Sequence, residues 1–281
     1  MNMTEDSKLF NVDADRCIRC GACVRDCYFG ALETGADGLP SMSSRERCMQ
    51  CQHCFAVCPT GAVMFKGHRA EDARAVQGLE LPAREAMDNL VRSRRSIRKY
   101  AEQDVDQDVL KRILKTLANA PTGCNARGLK FTCIATRKAM DDFRARFIGV
   151  LERHRCGRKL LPRWIATPAI QLRRGGQDVF FRGASGMLIV SCDSKAKGVV
   201  TPAEDVMVAC SQFDLLAQAS GLGTCWCGFL KLVQREVPEL LPELVGVDEG
   251  TPFYAVLFGT PAIEYARCVC RDEEAVIEWR E

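Results

Sequence analysis

At 281 residues, with 39 Lys and Arg against 36 Asp and Glu, the chain has a formal charge of +3, too small to imply a nucleic-acid partner. Its 47% hydrophobic content is that of a globular protein of one large domain or two smaller ones. No apolar run reaches the length of a membrane helix; Gly186 to Cys192 is strand-length, so no membrane partner is expected. Seventeen cysteines would suggest a disulfide scaffold in a small secreted chain. The start, MNMTEDSKLF, has no basic region followed by an apolar stretch, so the expectation is a reducing, oxygen-poor cytoplasm.

In chain order, Lys8 to Val12 reads as a strand, Ala22 to Cys27 and His53 to Cys58 as short helical turns, and Val63 to Phe65 as a closing strand. Residues 1–68 thus form a small unit, and 69–83 a polar linker or connecting helix that ends around Pro82. Residues 84–281 form a larger one. There Ala86 to Val91 carries apolar residues at helical spacing. Val109, Leu110, Ile113, Leu114 and Leu117 share one face of a second helix. Phe131 to Ala135 is predicted as strand, Lys138 to Leu151 as helix and Met187 to Cys192 as strand. Pro202 to Gly221 is a long helix with proline in its first turn and glycine at its end. Cys225 to Leu230 reads as a short strand or loop and Phe253 to Gly259 as a last strand. The irregular alternation predicts an α+β layered structure.

Eight cysteines form two copies of one pattern, Cys17, Cys20, Cys23, Cys27 and Cys48, Cys51, Cys54, Cys58, related by an offset of 31 that also maps Gly30-Ala31 onto Gly61-Ala62. Three thiols at i, i+3 and i+6 fit a loop around three corners of a cubane, with the fourth supplied from farther along. Zinc is the rival, but it usually takes its ligands as two C-x-x-C pairs. Residues 1–68 resemble bacterial two-cluster ferredoxins. The resemblance implies two 4Fe-4S clusters with crossed ligands: Cys17, Cys20, Cys23 and Cys58 on one, Cys48, Cys51, Cys54 and Cys27 on the other. Tyr28 follows Cys27 where a proline is usual, as Pro59 follows Cys58.

Three segments of the larger unit carry a second pattern: RRSIRKY at 94–100, APTGCN at 120–125 and SGLGTCWCG at 220–228. Alone, each has an ordinary reading: a cationic helix end, a turn, a helix C-cap. Together and in this order they resemble the flavin-dependent nitroreductase family, over roughly residues 84–281. The resemblance implies a four- to five-stranded, mostly antiparallel sheet flanked by helices, and a homodimer with FMN at its interface. Arg94, Arg95, Ser96 and Arg98 match positions that hold the FMN phosphate, ribityl chain and pyrimidine edge, a role suited to guanidinium forks. Pro121, Thr122 and Asn125 match a turn reaching the flavin from the partner subunit. Trp226, Cys227 and Gly228 match the segment passing over the ring, and Arg267 and Arg271 a region closing over the phosphate. Many relatives have Gln-Pro-Trp after the asparagine; here Arg127-Gly128-Leu129 stand there.

Cys225, Cys227, Cys268 and Cys270 are either a further thiolate site or small buried hydrophobes, the second being the commoner role. The basic stretch Arg144 to Arg174, with one acid, Glu152, is a solvated helix and loop, or a lid for an anionic substrate or acidic donor. No G-x-G-x-x-G follows a strand, which argues against a Rossmann domain. The resemblances imply an FMN-dependent oxidoreductase that receives electrons through two clusters from an external donor, ferredoxin-type or NAD(P)H. Its acceptor would be a small organic molecule, nitroaromatic or related. The alternative is an electron-transfer or redox-sensing module with no organic substrate.

Overall fold

The computed structural model describes residues 9–156, 160–271 and 274–280. Two compact units emerge, Met1–Leu81 and Pro82–Glu281. Lys8 of the predicted first strand lies outside the described residues.

The first unit is a repeat made visible. Strand β1 (Phe10–Val12) pairs antiparallel with β4 (Val63–Phe65), and β2 (Leu32–Thr34) with β3 (Pro40–Met42). The one-turn helices α1 (Ala22–Arg25) and α2 (His53–Ala56) stand 31 residues apart, as β2 and β4 do. Backbone detail repeats at the same offset. Arg19 and Gln50 take φ of 55° and 52°, Gly21 and Gln52 69° and 64°, Gly30 and Gly61 61° and 63°. A left-handed residue other than glycine costs roughly 1–2 kcal/mol, so the loop holds Arg19, Gln50 and Gln52 in place against a local preference. The core is small: Leu9, Phe10, Cys23, Leu32, Val63 and Phe65, with Cys27, Cys48, Cys54 and Cys58 packed against it. Cysteines therefore supply much of the packing, and a unit this size needs such a staple. Beyond β4 the chain makes one 3-10 turn, Ala70–Asp72, rather than a connecting helix.

The second unit is a four-stranded antiparallel sheet between two helical layers. Strands β5 (Leu129–Ile134), β6 (Gly186–Cys192), β7 (Gly223–Trp226) and β8 (Phe253–Gly259) lie in the order β5-β6-β8-β7. The period of two sorts side chains to the two faces. Met187, Ile189, Cys225, Ala255 and Leu257 pack under α5 (Arg137–Cys156), α6 (Arg163–Arg173), α8 (Gly228–Glu236) and α9 (Leu240–Val245). Leu188, Val190, Cys192, Val256 and Phe258 face α4 (Gln107–Thr116) and α7 (Pro202–Ala219). β6 is buried along its whole length, which is why it reads as a continuous apolar run.

Several expectations need correction. Cys225 to Leu230 is neither one strand nor a loop: β7 ends at Trp226 and helix α8 begins at Gly228. Helix α6 and the β2–β3 hairpin were not anticipated. Helix α3 (Arg84–Ser93) forms where the spacing predicts it, but buries none of its residues; Met87 and Val91 are exposed.

Candidate redox sites

In the first unit, Cys17, Cys20, Cys23 and Cys58 line one small cavity, walled also by Ile18, Pro40, Thr60 and Val63. The fourth thiol thus comes from the second copy of the pattern. Burial pushes the Cys23 thiol up, and Cys58 and Cys17 add to that shift. In the second set Cys48 is raised by burial, with Cys51 and Cys27 nearby, and Cys54 is pushed up to about 12, chiefly by burial. Two matched N–H···S bonds close the repeat: Ala31 N donates to Cys27 Sγ at 3.3 Å and Ala62 N to Cys58 Sγ at 3.2 Å. At Cys58 burial disfavours the thiolate, but donors from Val63, Thr60 and Ala62 outweigh it and the thiol titrates below its usual value. Among the described residues no three His, Cys, Asp or Glu side chains converge as a single ion would require. Four thiols spread around a cavity suit a cluster better than zinc, whose sulfurs all lie about 2.3 Å from one atom. Tyr28, in the place of the second proline, is 91% exposed and stands edge-on to Phe29, with 5.1 Å between ring centroids.

In the second unit, the segment after α3 runs between β7 and the chain following β8. Ser96 forms a parallel bridge with Thr224, Ile97 N donates to Thr224 O at 2.7 Å, and Ala101 N donates to Thr260 O at 2.9 Å. Gly223 makes this approach possible, since a Cβ there would sit 2.6 Å from Ile97 Cγ1. One buried carboxylate, Asp214 of α7, organises the region. It accepts the Thr224 hydroxyl and the Trp226 indole N–H, the latter at 2.9 Å, and lies 3.5 Å from Arg94 Nη1. That Nη1 is buried and has no hydrogen-bond acceptor. Asp214 was not foreseen. Its signal in the sequence, one acid in the apolar stretch of a long helix, has meaning only once β7 is seen beside it.

Cys225 and Cys227 are buried core residues. Burial raises Cys225 while Arg98 and Arg182 oppose it, and burial pushes Cys227 up to about 12. Cys268 and Cys270 are exposed, and no thiolate site forms among the described residues. Cys227 caps α8 and its Sγ donates to Phe180 O at 3.5 Å.

The other expected contacts lie elsewhere in the chain. Pro121, Thr122 and Asn125 belong to a turn fixed at the opposite end of α7, where Gly123 N donates to Asp205 Oδ1 at 2.9 Å and Arg127 N to Thr122 Oγ1 at 3.0 Å. Asp205 and Asp214 are nine residues apart, about 13 Å along a helix. Arg267 and Arg271 are exposed beyond β8. The basic stretch is mostly structural. Arg144 binds Asp178 at 2.9 Å, Asp141 at 2.7 Å and Ala184 O at 2.7 Å; Arg146 caps the last carbonyls of α9; Arg153 pairs with Glu243 and Arg173 with Glu152. Arg158 and Lys159 lie outside the described residues.

One unit with a thiol-walled cavity and another built on a helix-covered antiparallel sheet, with arginines along that sheet's edge, define a two-part oxidoreductase. The model of the nitroreductase family matches residues 91–260, and the chain belongs to that family; the model of a 4Fe-4S dicluster domain matches residues 7–63. The first part is 39% identical over 67 residues to a ferredoxin of Pyrobaculum islandicum, covering 24% of this chain and 62% of the ferredoxin. It is 37% identical over 54 residues to an archaeal glutamate synthase of Archaeoglobus fulgidus, covering 19% of this chain and 11% of the synthase. The chain thus spans less than two thirds of either relative. Among solved structures, a nitroreductase from Bacteroides fragilis, described with bound FMN, superposes with a TM-score of 0.52 at 22% identity, over 68% of this chain and 97% of that one. One from Desulfitobacterium hafniense, also described with bound FMN, gives 0.50 at 21% identity over the same shares. These likenesses establish the shared fold. Among the described residues no helix is long and apolar enough to cross a membrane.

Proposed function

We propose that this chain is an FMN-dependent oxidoreductase whose iron–sulfur module takes single electrons from an external donor for the reduction of a small organic acceptor, nitroaromatic or related. The observation that carries the reading is the buried Arg94 Nη1: a guanidinium aimed by Asp214, with a donor still to satisfy, beside the Trp226–Gly228 segment. A buried donor without a partner is costly unless a ligand completes it.

Arg94, Arg95, Ser96 and Arg98 would bind the phosphate, ribityl chain and pyrimidine edge, their charge favouring a reduced, anionic ring. Asp214 holds the guanidinium and the indole in register. Trp226, Cys227 and Gly228 would face the ring, and Arg267 and Arg271 would close over the phosphate. Since Pro121, Thr122 and Asn125 sit about 13 Å away along α7, they would serve the site of a second copy in a homodimer. Exposed Met87, Val91, Met207 and Val208 supply apolar surface for that pairing. In the first unit Cys17, Cys20, Cys23 and Cys58 would hold one 4Fe-4S cluster, and Cys48, Cys51, Cys54 and Cys27 the other. Bound FMN supplies the exchange between single electrons and hydride equivalents. Anaerobic purification with iron, sulfide and flavin assayed per chain tests the reading. About eight irons and one FMN are expected; colourless protein without sulfide or flavin would sink it.

A further inference from the structure

Arg182 is a cation with no assigned task. It is half-buried, and no carboxylate pairs with it among the described residues. It also adopts φ of 56°, a left-handed conformation that a long side chain takes only when its surroundings impose it.

The surroundings do impose it. Asp178, held by the half-buried Arg144 guanidinium at 2.9 Å, accepts Phe181 N at 2.8 Å and Gly183 N at 3.1 Å, and Arg182 N donates to Asp178 O at 3.0 Å. The turn is a rigid bracket. It places the Arg182 guanidinium 5.9 Å from the centroid of Phe229, the residue after Gly228. Trp164, on α6, faces the same ring at 6.4 Å with 39° between planes, and is 40% exposed. Phe180 closes the back of Phe229 edge-on at 6.1 Å and, through its carbonyl, takes the Cys227 thiol. A solvent-facing indole, a phenyl ring and an unpaired guanidinium therefore converge beside residues 226–228.

We infer that Trp164, Phe229 and Arg182 form a reception site for a planar aromatic acceptor bearing a carboxylate, the ring resting against Trp164 and Phe229 and the anion on Arg182. The inference deepens the proposed function and rests on residues 226–228 being the ring-facing segment. Aromatic faces bind a flat substrate with little geometric demand, whereas a guanidinium fork matches a carboxylate specifically. A half-buried arginine without an acid of its own retains its full charge for a ligand.

The test uses the full chain, purified anaerobically and given no electron donor, so that nothing turns over. Calorimetric titration compares 4-nitrobenzoate with nitrobenzene, which lacks only the carboxylate. The expectation is that 4-nitrobenzoate binds about tenfold tighter, that added salt erodes this preference, and that Arg182→Gln collapses it to within about twofold. Trp164→Leu should weaken both probes. Equal binding in the parent, or a preference that survives in R182Q, overturns the inference. Loss of FMN from R182Q would assign the arginine to the cofactor and overturn it as well. Should R182Q fail to fold, the salt series on the parent still decides, a flat profile counting against the site. Flavin content is assayed separately, so a flavin-free parent defeats the FMN reading while the probe preference is judged on its own.

Discussion

Asp214 and Trp226, twelve residues apart, are joined by an indole N–H bond to the carboxylate at 2.9 Å. The same carboxylate, 4% exposed, also accepts the Thr224 hydroxyl and lies beside Arg94. Replacing it by asparagine removes the charge that aims Arg94 while keeping the shape. Asp214→Asn is expected to lower FMN affinity at least tenfold and to cost about 2–4 kcal/mol of stability, because Arg94 is left partly buried without its counter-charge. Flavin fluorescence released on titration and a thermal melt measure the two effects.

Gly223→Val tests the contact that lays residues 94–98 on β7. Any Cβ would meet the Ile97 side chain at 2.6 Å, and a valine adds two methyl groups to it. The expected cost is about 1–3 kcal/mol, with FMN content falling alongside melting temperature. Unchanged flavin content would separate Ile97 packing from the cofactor cradle.

The cavity shared by Cys17, Cys20, Cys23 and Cys58 favours the proposal of crossed ligand sets. Cys58→Ser should therefore disturb the cluster held mainly by the first copy of the pattern, and Cys27→Ser that of the second. Double variants distinguish the schemes. Cys58→Ser with Cys20→Ser should leave about four irons per chain, whereas Cys58→Ser with Cys51→Ser should leave almost none. The opposite result would show uncrossed sets.

Cys20→Ala addresses the route of electrons. Reduction of FMN by a ferredoxin-type donor should be lost while reduction by dithionite persists. Unchanged donor-linked rates in anaerobic stopped-flow would mean that the flavin is loaded without the clusters.

Alkaline pH should destabilise the second unit. Burial, with Cys225 and Cys227 nearby, holds the Tyr100 phenol well above its usual range while its hydroxyl donates to Ile97 O at 2.8 Å. A folded pKa above the unfolded one means that the folded chain keeps its proton longer. The stabilisation is whole below about pH 10 and declines as pH climbs past it. The buried Cys225 and Cys227 thiols act in the same direction from about pH 9. Melting temperature between pH 8 and 11 should fall more steeply for the parent than for Tyr100→Phe.

How much of this was legible depended on whether the cause was local. The 31-residue repeat was readable because each loop needs its own three thiols and its own left-handed turn. Strands β6 and β8 were readable because burial on both faces leaves an unbroken apolar run. Helix α6 was not, since Pro168 lies inside it and an arginine stands at each end, the partner of Arg173, Glu152, being set by packing. Helix α8 was hidden because its start follows a strand without a break. The pattern in α3 was correctly helical, but its apolar stripe meets no core in the single chain. The arginines at 94–98 were found by type and spacing. Asp214, which orients one of them, and Arg182, whose turn is braced by Arg144, owe their roles to tertiary neighbours.

Helix α7 carries an anchor near each end, Asp205 for the 121–125 turn and Asp214 for the 94–98 edge. In the proposed homodimer each protomer would then lend one end of this rod to its own cradle and the other to its neighbour's. Two crippled chains could rescue each other: one without Arg94 and one without Asn125, mixed, would yield a hybrid with one doubly broken cradle and one wholly intact, so that partial activity returns from two inactive parents.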